Sequence, residues 1–146
     1  MSRSTKEGTE LSVLFLDVDY FKLYNQRHGH SAGDRALRSV ARVIGSCVRR
    51  IDMVGRYGGE EFVVVLPECG AQVALEVAER IRRGVELAEE PVDGRRLTVS
   101  IGVATYPSDA RSKEDLLDRA DWSMYRAKAG GRNRVVAFAP EQLGGP

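Results

Sequence analysis

The run LSVLFLDV, residues 11–18, is short and apolar almost throughout. At this length it reads as a buried strand rather than a helix, and a buried strand needs a sheet around it and further layers to cover it. Its end is unusual. Asp17 and Asp19 follow the apolar residues in FLDVDYFK (15–22), with Lys22 just beyond. Burying a carboxylate without a partner costs several kcal/mol, so acids at such a strand end are either solvated or paired with a cation. Read alone, the stretch has a plain assignment: Asp19 caps a short helix starting at Tyr20, and Asp17 is a solvated strand end.

The rest of the chain divides by apolar periodicity. DRALRSVARVIGSCVRR (34–50) carries Leu37, Val40, Val43, Ile44, Cys47 and Val48 on one face and predicts an amphipathic helix. MVGRY and EFVVVLP, joined by Gly58-Gly59, predict a β-hairpin whose glycines permit positive φ. AQVALEVAERIRRGVEL (71–87) places Val73, Val77, Ile81 and Val85 at spacing four, a second helix. After an Asp93-Gly94 turn, RLTVSIGVATY alternates Val99, Ile101 and Val103 as a strand. SKEDLLDRADWSMYRAKA (112–129) is a helix with Ser112 as N-cap and Glu114 and Asp115 in its first turn. It stops at Gly130-Gly131, and RVVAF forms a last strand. The order β, α, β-hairpin, α, β, α, β predicts an α/β (α+β) domain, a mixed central β-sheet flanked by helices, over residues 11–138. Residues 1–10 and 139–146 are polar and aperiodic and read as tails or linker stubs.

A chain of 146 residues is long enough for one domain with a real core. A net charge of +1 leaves no footprint for a nucleic-acid polymer, although a single nucleotide needs only a local cluster of cations. Cys47 and Cys69 have neither metal-ligand spacing nor a disulfide pattern, which suits a reducing cytoplasm. No apolar run approaches the roughly 20 residues that cross a bilayer, so no membrane contact is expected of this segment. Arginine supplies 18 of the 22 basic residues, which singles out the four lysines, Lys6, Lys22, Lys113 and Lys128.

Two further stretches carry chemistry. In RYGGEEF, Glu60 lies at the hairpin turn, whereas Glu61 shares a strand face with Val63 and Val65; the two acids therefore point differently. In YRAKAGGRNR (125–134), Lys128 and Arg132 flank two glycines at a helix end, within reach of an anion or of the helix C-terminus. Asp17 ends one central strand and Glu60 begins another. Carboxylates converging there beside lysines would describe a Mg²⁺-nucleotide site, with substrate phosphates completing the shell.

LDVDYFKLYN, HGHSAGD, RYGGEEF, TVSIGVA and YRAKAGGRN, in this order and spacing, resemble the GGDEF family of diguanylate cyclases, with GGEEF in place of GGDEF. The resemblance covers about residues 11–138. It implies a nucleotide-cyclase and polymerase-palm type of fold, and condensation of two GTP into cyclic di-GMP by two-metal phosphoryl transfer between two facing copies of the domain. By position it makes Asp17 and Glu60 ligands of Mg²⁺ (Mn²⁺ being the alternative), with the Val18 carbonyl as a backbone ligand. Glu61 would assist metal binding or activation of the 3′-hydroxyl. Amides near Tyr20 and Phe21, with Lys22, Lys128 and Arg132, would hold the β- and γ-phosphates, while Asn25 and Asp34 would read the guanine edge. Arg49 and Asp52 match the family's R-x-x-D product-inhibition motif, and Arg80 matches a second inhibitory arginine.

The family usually begins with a helix and a turn reading D-x-L-T-x-L-x-N-R, and nothing similar precedes Leu11. A piece of a larger signalling protein is the corresponding expectation, with input modules elsewhere. Two alternatives stand beside an active cyclase. One is a catalytically inactive domain that binds cyclic di-GMP or GTP. The other is a cyclase of different base choice, against which Asp34 argues, because its carboxylate accepts from guanine N1–H and N2–H₂ and adenine offers no such donor pair.

Overall fold

Every residue from Ser12 to Asp19 is buried, on both faces of the strand, and the architecture follows from that requirement. The protein is described by a computed structural model over residues 10–88 and 97–140. Its elements run β1 (Leu11–Val18), α1 (Phe21–His28), α2 (His30–Cys47), β2 (Met53–Arg56), β3 (Glu61–Pro67), α3 (Ala71–Leu87), β4 (Val99–Tyr106), α4 (Lys113–Ala129) and β5 (Arg134–Ala137). The strands form one mixed sheet in the order β2-β3-β1-β4-β5, antiparallel except for the β4–β5 pair. β1 thus occupies the centre. Leu14, Leu16 and Val18 face a core shared with α1, α2 and α3, while Val13 and Phe15 face α4. Among the described residues no helix is long and apolar enough to cross a membrane.

The predicted hairpin, the last helix and the buried first strand all form. Ser112 caps α4 by accepting a hydrogen bond from the Asp115 amide at 3.1 Å. The predicted Asp93-Gly94 turn and most of both expected tails lie outside the described residues.

Three predictions change. The helix expected over 34–50 begins at His30 and ends at Cys47, and the short helix read from Tyr20 precedes it as α1, beginning at Phe21. α1 buries only Phe21 and Tyr24, too few positions for periodicity to register. The start of α2 is buried through Ala32, Gly33 and Ala36, small residues that a search for large apolar side chains passes over. In α3 the buried stripe is Ala74, Ala78, Ile81 and Val85, and Val73 faces solvent. A strict spacing of four drifts around a helix of 3.6 residues per turn, and alanines supply the close contact instead.

α4 crosses β4 at close range over Gly102. A Cβ there would overlap the Met124 amide nitrogen and the Ala120 carbonyl oxygen and lie 2.7 Å from the Ser123 carbonyl carbon. The glycine is therefore required by backbone contact, not by its torsion angles.

Candidate active site

Sheet register brings the end of β1 to the start of β3. Asp17 stands opposite Glu61, and the Val18 amide donates to the Glu60 carbonyl at 3.1 Å. Across the other face, α4 delivers Lys128, whose Nζ donates to Asp17 Oδ2 at 3.0 Å. Asp17 is 4% exposed, which corrects its assignment as a solvated strand end. The Asp17 charge also acts on the neighbouring Glu60 carboxyl. The loop between β2 and β3 is closed by Arg56 Nη2 donating to the Gly59 carbonyl at 2.6 Å and by the Tyr57 amide donating to the Glu61 carbonyl at 2.8 Å. Neither Gly58 nor Gly59 adopts positive φ, contrary to expectation. A Cβ on Gly58 would lie 2.7 Å from Glu61 Oε1, so the Glu61 side chain packs over this glycine.

Three acids share this edge with one lysine. Burial pushes the Asp17 carboxyl above the usual carboxylate range; Lys128 pulls it down and Asp19 adds repulsion. Burial also raises Glu60, reinforced by the Asp17 charge, and it raises Glu61, reinforced by Asp17 and Asp121. A carboxyl with a raised folded-state pKa binds its proton more tightly folded than unfolded. Its stabilising contribution is complete below the unfolded pKa and is lost as pH rises through the raised value. Ligand-free Glu60→Gln should therefore melt higher than the parent near neutral pH. Solvent screening holds the gain to about 0.5 kcal/mol, or roughly 1–3 °C in Tm. Thermal melts across pH check this, and the gain should vanish in acid.

Beside this edge lies a groove of about 430 Å³ lined by Phe21, Lys22, Asn25, Asp34, Arg56 and Glu60. Lys22 and Asp34 are exposed along it. α1 and α2 approach so closely that a Cβ on Gly33 would overlap Asn25 Oδ1 and come within 3.1 Å of the Phe21 ring. Asn25 Oδ1 is buried there without a hydrogen-bond partner among the described residues. At the entry to α1, Tyr20 adopts φ 58° and no side chain caps the helix. The Tyr20 ring is 64% exposed, and the Arg132 guanidinium lies 4.6 Å from its centroid. Arg132 Nε, too, is buried without a partner among the described residues.

Asp19 does not cap α1. Its carboxylate accepts from Thr98 Oγ1 and Ser100 Oγ, each at 2.7 Å, and from the Asn133 amide at 3.0 Å. Sequence reasoning missed this role and missed Asn133 altogether. The signal present was the Asn in GGRN, a residue that tolerates left-handed backbone.

The Arg49–Asp52 motif forms a tight turn between α2 and β2, and its ion pair is close. Arg49 Nη2 lies 2.7 Å from Asp52 Oδ1, with side chains 48% and 1% exposed. Arg49 Nη2 also donates to the Pro67 carbonyl at 2.6 Å, and the Arg49 amide donates to Asp52 Oδ2 at 2.6 Å. From α3, Arg80 Nη1 reaches the Cys47 carbonyl at 3.4 Å, so all three predicted inhibitory-site residues gather at one end of α2.

The sequence profile described as "Diguanylate cyclase, GGDEF domain" matches residues 1–134. Diguanylate cyclase A of Treponema denticola is 44% identical over 138 residues, covering 93% of this chain and 37% of that protein. The solved active GGEEF domain of a diguanylate cyclase from Vibrio cholerae superposes with a TM-score of 0.89 at 30% identity, covering 94% of this chain and 88% of the other. The GGDEF domain of DgcB from Caulobacter crescentus, solved in complex with c-di-GMP, gives a TM-score of 0.83 at 36% identity, covering 93% and 82%. The chain spans about a third of the length of the curated relatives it matches.

Proposed function

Since the chain belongs to the GGDEF family of diguanylate cyclases, we propose that it condenses two GTP into cyclic di-GMP and two pyrophosphates, with each domain of a facing pair holding one GTP. The observation that carries this reading is the buried Asp17–Lys128 pair beside Glu60, which itself lines the groove that holds Lys22, Asn25 and Asp34. The working unit is residues 11–138, acting in the cytoplasm as part of a longer signalling protein.

The donor set fits a hard divalent cation. Asp17 and Glu60 crowd one another and both carboxyls are raised, so a cation between them would relieve repulsion. Among the described residues no third His, Cys, Asp or Glu joins them in a metal-binding group. Mg²⁺ is commonly bound by one or two carboxylates with substrate phosphates completing its shell, and Mn²⁺ would suit the same oxygens. Asp17, Glu60 and the Val18 carbonyl would hold the metal. When bound, it supplies the chemistry of two-metal phosphoryl transfer: charge stabilisation at the α-phosphate and a lowered pKa for the attacking 3′-hydroxyl.

The chain's own groups do the rest. Asp34 accepts from guanine N1–H and N2–H₂, and Asn25 presents its buried, unpartnered Oδ1 to the same base. Lys22, Lys128 and Arg132, with amides near Tyr20 and Phe21 at the uncapped start of α1, hold the β- and γ-phosphates and the departing pyrophosphate. Glu61 assists at the metal or the 3′-hydroxyl. Incubation with GTP and Mg²⁺, of the chain alone and artificially dimerised, tests the reading by chromatography. Absence of cyclic di-GMP from both samples, with folded protein that binds GTP, would refute it.

Arg49, Asp52 and Arg80 form the product-binding inhibitory site. Arg49→Ala should weaken cyclic di-GMP binding about 10–100-fold, as loss of charge-assisted hydrogen bonds implies. Calorimetric titration checks this, and undiminished binding would reject the assignment.

A further inference from the structure

The turn that follows α4 is gripped from two sides. The Asn133 amide donates to Asp19 Oδ2 at 3.0 Å. The Asn133 side chain accepts from Arg82 Nη1 at 2.9 Å through Oδ1 and donates to Glu86 Oε2 at 2.9 Å through Nδ2. Arg82 is itself fixed along α3, donating from Nε and Nη2 to Glu79 at 2.9 and 2.6 Å and from Nη1 to Glu86 Oε1 at 3.1 Å. Asp19 in turn is anchored on Thr98 and Ser100 at the beginning of β4. This hydrogen-bonded chain joins α3, the entry to β4 and the end of β1 through one asparagine.

The turn needs such support. Arg132 and Asn133 are consecutive non-glycine residues at φ 65° and 47°, a conformation that persists only where the surroundings determine it. The same backbone aims the Arg132 guanidinium over the Tyr20 ring, beside the uncapped start of α1. Neither Asn133 nor Arg82 lines the groove of Lys22, Asn25 and Asp34.

We propose that Asn133, clamped between Asp19 and the Arg82–Glu86 pair, is a positioning residue that holds Arg132 where it meets the β- and γ-phosphates of GTP. This role rests on the cyclase reading above, and it predicts a selective defect. Loss of the clamp would free Arg132 while leaving the guanine contacts of Asn25 and Asp34 in place. The guanidinium would then be ordered only at the moment of binding, and the cost would fall on ligands that carry the outer phosphates.

Asn133→Gly isolates the side chain, because glycine keeps the left-handed backbone without strain. Equilibrium titrations with GTP and with GMP, both in Mg²⁺, provide the readout. The variant should bind GTP about 5–20-fold more weakly, part of the loss expected for an arginine–phosphate contact, and should bind GMP within about twofold of the parent. Arg82→Ala should show the same phosphate-selective loss. Arg132→Ala combined with Asn133→Gly should be no worse than Arg132→Ala alone, since both changes remove one interaction. Unchanged GTP affinity in Asn133→Gly, or equal losses for GTP and GMP, would overturn the positioning role while the cyclase reading stands. A parent protein that binds no GTP would overturn both.

Discussion

Glu60→Gln should lower cyclic di-GMP formation by about a thousandfold or more, because it removes one of two carboxylates proposed to hold the metal. Metal-ion stabilisation of transition-state charge amounts to several kcal/mol, and about 4 kcal/mol corresponds to three orders of magnitude in rate. The substitution is nearly isosteric, and the backbone contact from the Val18 amide to the Glu60 carbonyl does not depend on the side chain. The fold should therefore survive, with the slight rise in melting temperature argued above. That combination separates a functional acid from a structural one. Asp17→Asn should show a similar loss of turnover, although it also removes the carboxylate that pairs with Lys128. Steady-state assays on an enforced dimer, with melts on the same samples, provide the check. Full turnover in either variant would remove that residue from the metal site.

Gly102→Ala should destabilise the domain by about 3 kcal/mol or more, at the upper end of the cost of overpacking. The added methyl meets backbone rather than flexible side chain: the Met124 amide, the Ala120 carbonyl and the Ser123 carbonyl carbon all lie in its path. α4 would have to lift away from β4, loosening Leu116, Ala120 and Met124 from Val13 and Phe15. A fall in Tm of roughly 6–12 °C follows for a domain of this size. The same displacement would draw Lys128 away from Asp17, so any folded fraction should also be impaired in catalysis. Chemical denaturation and thermal melts measure the first effect, and a variant as stable as the parent would show that α4 can shift at little cost.

Much of this architecture is legible in local pattern. Leu11–Val18 announces a buried strand by being apolar almost throughout, Glu61–Pro67 announces a hairpin strand by its β-branched run after Gly58-Gly59, and Ser112 marks the start of α4. These signals survive because each depends on residues a few positions apart, where periodicity and capping act. The motifs also name the acids, lysines and arginines of the candidate site. Their types and order are properties of the chain itself.

What local pattern cannot report is which groups meet. Asp17 reads as a solvated strand end until α4 lays Lys128 against it from 111 positions further along the chain. Asp19 reads as a helix cap until β4 and the Asn133 turn supply three donors to its carboxylate. Gly102 looks like any strand glycine until a helix backbone crosses it, and Ala32, Gly33 and Ala36 look like no core at all until α1 packs on them. In each case burial and partner are set by sheet register and layer packing, which involve residues far apart in the chain. Local pattern names most of the elements and the chemical groups they carry; long-range packing sets how those groups are paired, buried and held, because a side chain's environment is made by its neighbours in space.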